Sequence, residues 1–185
     1  SGPRLGGTAA YSALTARALG MKAGIVTAVG KETPLNALDG IPITSIESPH
    51  STTFENIYTD AGRAQYLRAQ AARVDLDTVP PLWRNASIIH LAPIANEIDS
   101  SLPNDFSPAL LGVPPQGWMR HWDSSGRVSR SEWSDSESVL HKANAVVISR
   151  EDVNGDHELI EQMAHQTRML VVTEGAEGCV LHWNG

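Results

Sequence analysis

The stretch LGGTAAYSALTARALGMKAGIVTAVG, residues 5–30, combines a glycine pair, a run of small residues and a short apolar segment. Apolar and small side chains recur at helical spacing through residues 8–19, and Gly20 is a typical end for such a helix. The run IVTAV that follows is β-branched and bounded by glycines, which predicts a buried strand. The pair Gly6–Gly7 indicates a backbone that another group approaches closely.

The remainder of the chain alternates predicted strands with helical segments. Several of the strands are continuous apolar runs, which are typical of a parallel sheet covered on both faces and of an α/β fold. Ser149 is the predicted N-cap of a helix that starts directly after one strand. The predicted strands lie within residues 40–48, 85–94, 108–122, 144–149 and 168–183, the last being two strands around a glycine turn, and a short amphipathic helix covers 156–167.

Residues 51–67 follow a different pattern. Polar and apolar side chains alternate on both sides of the turn sequence TDAG, as in a β-hairpin with one exposed face. Two interpretations are open at this point: a flap over a ligand, or an ordinary edge hairpin.

The composition of the chain limits the classes of function that it can have. The 185 residues suit one domain, or most of a larger one, and 41% hydrophobic residues suffice for a core. A net charge of −7 argues against a nucleic-acid partner, which would need a basic surface. The single cysteine, Cys179, fits a reducing cytoplasm, so we expect a cytoplasmic protein. No apolar run reaches about 18 residues, and we expect no membrane span.

Ligands of parallel sheets bind beyond the carboxyl ends of the strands, so the residues that follow each strand matter most. After the apolar run MLVV comes TEGAEG, which has the spacing Thr-x-Gly-x-x-Gly in Thr173, Gly175 and Gly178. Such a turn offers backbone N–H groups to phosphate oxygens, although a plain tight hairpin has the same pattern. Neither the dinucleotide-binding spacing G-x-G-x-x-G after a strand nor a Walker motif is present.

Metal motifs are also absent from the sequence. A calcium loop starting at Asp152 would need glycine and glutamate at its sixth and twelfth positions, where His157 and Met163 stand. The seven histidines show no zinc spacing, and we expect His90, within IIHLA, to be a core residue.

Taken together, these pieces resemble the ribokinase/PfkB family of carbohydrate kinases. The family's first signature is a glycine pair, a small-residue helix, and glycines at the helix end and after the next strand, which correspond here to Gly6, Gly7, Gly20 and Gly30. Its nucleotide-side motif matches Thr173, Gly175 and Gly178, and the hairpin at 51–67 resembles its lid. The resemblance extends over essentially the whole chain.

The resemblance implies a three-layer αβα fold with a mostly parallel central sheet and a small β lid, formed by residues 1–185 as a single, incomplete domain. It implies ATP-dependent phosphorylation of a sugar, polyol or nucleoside hydroxyl, with ATP and Mg²⁺ as cofactors and a homodimer formed through the lid by the apolar side of Phe54, Ile57 and Tyr58. The implied substrate-binding residues are Gly6, Gly7, Thr8, Tyr11 and Asn96. Gln116 is a further candidate because its loop follows a predicted strand at the carboxyl edge of the sheet. The implied cofactor-binding residues are Ser149, Asp152, Thr173, Gly175 and Gly178, with Asp152 also at the metal.

Several positions depart from the family pattern. Tyr11 stands where the family has asparagine, and Ser149-x-x-Asp152 replaces its Asn-x-x-Glu motif. The family's sugar-contacting glutamate has no counterpart near Ala92, and Asn96 or Glu97 would have to substitute. The Gly-Ala-Gly-Asp motif with the catalytic base is not within these residues, so no catalytic base is named. A non-catalytic sugar- or nucleotide-binding relative is therefore the alternative, and an unrelated α/β domain is a third interpretation.

Overall fold

The computed structural model describes residues 4–60, 62–108 and 110–184. Its α-helices are α1 (Thr8–Ala18), α2 (Ser136–Lys142) and α3 (His157–Gln166). Its strands are β1 (Ile25–Val29), β2 (Ile43–Glu47), β3 (Thr53–Thr59), β4 (Gly62–Ala69), β5 (Ile88–His90), β6 (Leu110–Val113), β7 (Arg120–Trp122), β8 (Val128–Arg130), β9 (Ala145–Ser149), β10 (Met169–Thr173) and β11 (Cys179–Trp183).

The chain folds into two compact units, and each is described by itself. The first comprises Ser1–Pro80 with Trp122–Val128, and the second comprises Pro81–His121 with Ser129–Gly185. That residues 1–185 belong to a single domain remains a prediction.

In the first unit, α1 packs against a parallel pair of strands, β1 and β2. The small side chains of Ala10 and Ala13 are buried with Ile25, Leu38 and Ile41 in one apolar cluster. Alanine on the inner face of the helix lets it approach the strands closely. The helix and both strands predicted from residues 8–48 are thus confirmed.

The predicted hairpin is also present, as the antiparallel pair β3–β4. Its predicted turn includes Ala61, which lies outside the described residues. The expectation that Phe54, Ile57 and Tyr58 share one apolar side is wrong, because successive residues of a strand point to opposite faces. Ile57 and Tyr58 are neighbours within β3, so they lie on opposite faces of the hairpin.

The second unit is built on a five-stranded sheet in the order β11–β10–β9–β6–β5. The four strands β5, β6, β9 and β10 are parallel, and β11 joins the edge antiparallel. The predicted α/β fold with a mostly parallel sheet is confirmed. One face of the sheet is buried, together with side chains of α2 and α3, and its core comprises Leu111, Val113, Val146, Ile148, Leu170, Val172, Val139, Leu140, Ile160 and Met163.

The opposite face of this sheet differs from the prediction that both faces are covered. Alternate side chains along each strand point to it, and large apolar residues are exposed there, namely Ile88, Leu110, Val147 and Leu181. His90 pairs in register with Gly112 on this face and is exposed. The prediction of a core histidine at this position is therefore wrong, because the strand's alternation directs His90 away from the core.

The predicted N-cap at Ser149 is wrong as well. Residues 150–155 form turns, in which Asn154 and Gly155 have φ values of 52° and 72°. Two consecutive left-handed residues cannot belong to a right-handed helix. Helix α3 therefore starts at His157, and its cap is Asp156, whose carboxylate accepts the N–H of Leu159.

Candidate functional site

In the second unit, the carboxyl ends of β6 and β9 bring three predicted site residues together. The N–H of Ser149 donates to Asp152 Oδ2 over 2.8 Å, and the N–H of Asp152 donates to Ser149 Oγ over 3.1 Å. Gln116, from the loop after β6, donates its Nε2 hydrogen to Asp152 Oδ1 over 3.0 Å. All three residues are half-buried. The carboxylate of Asp152 is thereby fixed in orientation from two sides.

This arrangement fits a magnesium ion that keeps most of its water. Two of the roughly four acceptor positions of the Asp152 carboxylate are used by Ser149 and Gln116, which leaves the others for a cation or its water. Magnesium is usually bound by one or two carboxylates, water and the substrate's phosphates. Within the residues that the structure describes, no cluster of three or more metal-ligating side chains occurs, so no all-protein metal cage is formed there.

The loops after β5 and β6 are joined tightly beside this cluster. Gly117 donates its N–H to Pro93 O over 2.9 Å, and a Cβ at Gly117 would lie 2.4 Å from the Pro93 carbonyl carbon. Only glycine permits this approach of one backbone to another. Arg120 donates to Ile94 O over 3.0 Å, which adds a second connection between the loops. The position of Gln116 therefore depends on Gly117.

Asn96 and Glu97 make structural hydrogen bonds within the same loops. Asn96 Nδ2 donates to Arg120 O over 3.0 Å, and Asn96 itself is exposed with φ 55°. The Glu97 carboxylate accepts the N–H groups of Ile94 and Ala95. Both candidates for the missing sugar-contacting glutamate are thus engaged with backbone groups.

The Thr-x-Gly-x-x-Gly segment forms the turn between β10 and β11. Gly175 and Gly178 have φ values of 62° and 99°, and a Cβ at either would meet no atom within 4 Å. Glycine is required there for the backbone conformation. Thr173 Oγ1 donates to Ile148 O over 3.3 Å, and Thr173 O accepts the N–H of Arg150 over 2.9 Å. The turn is therefore connected by hydrogen bonds to the end of β9.

In the first unit, the glycine pair precedes α1. Gly7 is the N-cap residue with φ 82°, and its carbonyl accepts the N–H of Tyr11 over 3.3 Å. Gly6 has no positive φ, and a Cβ there would lie 3.8 Å from Tyr11 Oη, an ordinary contact. The backbone thus requires glycine at position 7 but not at position 6. Thr8 opens the helix, and the side chain of Tyr11 is exposed beside Gly6.

A hydrogen-bond network at the carboxyl end of β1, also in the first unit, was not predicted from the sequence. Glu32 Oε1 accepts the N–H of Ser51 over 2.6 Å, and Ser51 Oγ accepts the N–H of Gly30 over 2.8 Å. Thr33 Oγ1 lies 2.5 Å from Ser51 Oγ. The Ser51 N–H bond is the main cause that lowers the pKa of Glu32. The network ties the loop after β1 to the base of the hairpin, and the one signal in the sequence was the polar cluster after Gly30.

Comparison with known proteins identifies the fold. No protein-family model matches the sequence, and no curated protein matches it significantly. Among solved structures, a pyrophosphate-dependent kinase in the ribokinase family, complexed with a pyrophosphate analog and myo-inositol, superposes with a TM-score of 0.72 at 17% identity. That match covers 94% of this chain and 66% of the other. The chain has the ribokinase fold.

Further structures with this fold support the assignment. Fructokinase from Xylella fastidiosa with bound ATP matches at TM-score 0.62 and 14% identity, covering 96% of this chain and 65% of the enzyme. Ribokinase from Giardia lamblia matches at 0.57 and 14%, covering 85% and 54%. The chain therefore spans about two thirds or less of the length of each of these structures. These neighbours include sugar and polyol kinases. Among the described residues, no helix has the length and apolar character of a membrane span.

Proposed function

We propose that this chain forms part of a carbohydrate kinase that transfers a phosphoryl group to a hydroxyl of a sugar, polyol or nucleoside. The observation that carries the proposal is the hydrogen-bonded cluster of Gln116, Ser149 and Asp152. It lies at the carboxyl edge of a parallel sheet and adjoins the Thr173 turn through the Arg150–Thr173 hydrogen bond. Ligands bind at this edge in open α/β sheets.

On the donor side, we propose that the turn after β10 binds the phosphates through its backbone and that the cluster of Gln116, Ser149 and Asp152 binds magnesium. We assign Thr173, Gly175 and Gly178 to the donor phosphates, because main-chain N–H groups without side-chain bulk suit phosphate oxygens. Asp152, oriented by Ser149, would hold magnesium. When bound, magnesium neutralises phosphate charge during transfer.

On the acceptor side, we assign Gly6, Gly7, Thr8 and Tyr11 to the alcohol. Neither the backbone conformation nor the neighbouring atoms require glycine at position 6. Contact with a ligand is therefore the proposed reason for glycine there. Asn96 stays a candidate for the acceptor, although its amide is used within its own loop. The hairpin β3–β4 is proposed to exclude water, which would otherwise compete as the acceptor. One face of that hairpin would form a homodimer interface.

The reaction needs positioning and charge neutralisation more than covalent chemistry by the protein. The acceptor oxygen forms a bond to the terminal phosphorus of the donor while the bond from that phosphorus to the leaving oxygen breaks. The hydroxyl proton passes to a base, and we assign no residue among 1–185 to that step. The products are a phosphate ester and ADP when ATP is the donor.

The phosphoryl donor is the point on which the structural neighbours differ. The fructokinase was solved with ATP, whereas the myo-inositol complex belongs to a pyrophosphate-dependent enzyme. We propose ATP as the donor and keep pyrophosphate as the competing one. A non-catalytic relative that binds a sugar or nucleotide is the alternative function.

A screen of the full-length protein tests the proposal. ATP and pyrophosphate are each offered with Mg²⁺ and a panel of sugars, polyols including myo-inositol, and nucleosides, and the phosphorylated product is detected directly by mass spectrometry. Product formation with at least one acceptor supports the kinase. Acceptor or nucleotide binding without product, measured by calorimetry, would instead favour the non-catalytic relative.

A further inference from the structure

Arg150 occupies a position that the proposed function does not explain. It is the first residue after β9, and its N–H donates to Thr173 O over 2.9 Å. Its Nη1 lies 2.5 Å from Glu174 Oε1, and its Nη2 lies 2.8 Å from His157 Nε2. The guanidinium is thus held between the turn after β10 and the start of α3.

Glu174 is unusual for a segment assigned to phosphate. It stands between Thr173 and Gly175, and a carboxylate there repels an anionic donor. Its side chain is 24% exposed, whereas that of Arg150 is 45% exposed. Its partner Arg150 therefore presents positive charge to solvent from beside the turn, while the carboxylate is the more shielded member of the pair.

The chemistry of arginine permits one guanidinium to exchange or share such partners. It carries five N–H donors in a planar fork that matches phosphate oxygens in a bidentate manner. Glu174 and His157 are contacted by one terminal nitrogen each. A phosphate at the turn would meet a cation that is already oriented, with a carboxylate as its competitor.

Resting on the proposed kinase function, we propose that Arg150 binds the phosphates of the donor and that Glu174 competes with them for its guanidinium. Arg150 then increases the affinity for the donor, and Glu174 decreases it. The pair makes the affinity for the donor a balance between two anions at one cation.

Opposite signs distinguish this competition from a merely structural ion pair. Removing Arg150 should weaken donor binding, and removing the charge of Glu174 should strengthen it. A structural pair that only shapes the turn would instead give the same sign for both, since either substitution breaks the same contact.

The experiment measures donor binding by calorimetry on the full-length protein, with pyrophosphate and ATP as separate probes in the presence of Mg²⁺. We expect Arg150→Gln to raise the donor Kd about 10-fold or more, as for a lost charge-assisted hydrogen bond. We expect Glu174→Gln to lower it by about 2- to 5-fold, the scale of a partly exposed ion pair. Arg150→Lys should fall between wild type and Arg150→Gln, because it keeps the charge without the fork.

Arg130→Gln is the matched control. It breaks another partly exposed ion pair of the same unit, Arg130–Asp156 at 3.4 Å, and should leave the donor Kd unchanged. Thermal unfolding of every variant separates loss of binding from loss of fold. An unchanged Kd in Arg150→Gln, or weaker binding in both Arg150→Gln and Glu174→Gln, overturns the inference while leaving the kinase intact. A wild-type protein that binds neither probe and forms no product overturns both.

Discussion

The side-chain amide of Gln116 and the carboxylate of Asp152 are joined at the edge of the five-stranded sheet, with Nε2 and Oδ1 3.0 Å apart. The two residues are 36 positions apart in the chain and meet because β6 and β9 are parallel neighbours. Gln116 is predicted to contact the substrate from its place after a strand, and the resemblance assigns Asp152 to magnesium. Their hydrogen bond indicates that Gln116 also orients the carboxylate.

Gln116→Leu should therefore raise the magnesium requirement for donor binding. Loss of a partner that orients a metal ligand typically costs about 10-fold or more in metal affinity. The measurement is calorimetric donor binding across a Mg²⁺ titration, so that it does not depend on turnover. Asp152→Asn should raise the requirement further.

The double variant tests whether the two residues act through one carboxylate. Adding Gln116→Leu to Asp152→Asn should change little more, because the charge that Gln116 positions is already gone. Gln162→Leu, an exposed glutamine on α3, is the control and should leave the titration unaltered. Independent, additive effects of the two substitutions would argue that Gln116 contacts the ligand without acting through Asp152.

Gly117→Ala should destabilise the second unit. Its Cβ would lie 2.4 Å from the Pro93 carbonyl carbon and 2.5 Å from Ile94 N, so one backbone segment has to move. Overpacking of this kind costs about 1–3 kcal/mol, which urea unfolding would detect. Gly112→Ala is a fitting control, since its Cβ would meet His90 Cδ2 at 3.5 Å, an ordinary contact. Equal stability of the two variants would contradict the close approach.

The elements that the sequence predicts correctly are those with strong local signals. Helix α1 ends at Ala18, two residues before the predicted stop at Gly20, and the glycine turn after β10 has its predicted position, because each depends on a few adjacent residues. Helix α2 was missed, since its seven residues SESVLHK are too few for an apolar period to be visible. Ser149 was wrongly assigned as a helix cap because the turn signal of the dipeptide Asn154–Gly155, whose backbone is left-handed, was not taken into account.

The contacts that make the candidate site depend on the tertiary fold and were less predictable. Gln116 and Asp152 were each identified as candidates from their place after a strand, but their hydrogen bond depends on β6 and β9 being neighbours. The Glu32–Ser51 bond joins residues 19 positions apart and was not expected at all. Strand order is not encoded in any short motif, which explains why candidate residues could be predicted and their partners could not.

Gly6→Ala should separate a ligand-binding role from a structural one. The structure leaves room for a methyl group at Gly6, so stability should stay within about 0.5 kcal/mol of wild type. If the backbone of Gly6 contacts the acceptor, KM for the alcohol should rise while the donor Kd is unchanged. The two measurements are steady-state kinetics with varied acceptor and donor calorimetry.

Gly20→Ala provides the opposite pattern as a control. Gly20 follows α1 with φ 78°, and a Cβ there would meet no atom within 4 Å. An L residue in this conformation costs about 1–2 kcal/mol, so the variant should lose stability without a change in acceptor KM. An unaltered acceptor KM in a folded Gly6→Ala protein would remove Gly6 from the acceptor site.

Acid should weaken the connection between β1 and the hairpin through Glu32. The Ser51 N–H donates to the Glu32 carboxylate and lowers its pKa, so the folded state favours the ionised form. A lowered pKa means that this contribution to stability is complete above the ordinary glutamate value, about 4.3, and is lost as pH falls through the folded value. The Ser51 amide proton should therefore shift in NMR spectra with an inflection below that pH.

Glu32→Gln isolates this contribution, because its amide oxygen still accepts the Ser51 hydrogen bond but does not titrate. Asp75 and Asp123 also have lowered pKa values, caused mainly by the hydroxyls of Thr78 and Ser125, so the wild-type acid transition sums several groups. The stability difference between wild type and Glu32→Gln, measured by urea unfolding from pH 7 to pH 3, should favour wild type at neutral pH and shrink on acidification. A difference that stays constant over that range would show that Glu32 does not couple the hairpin base to pH.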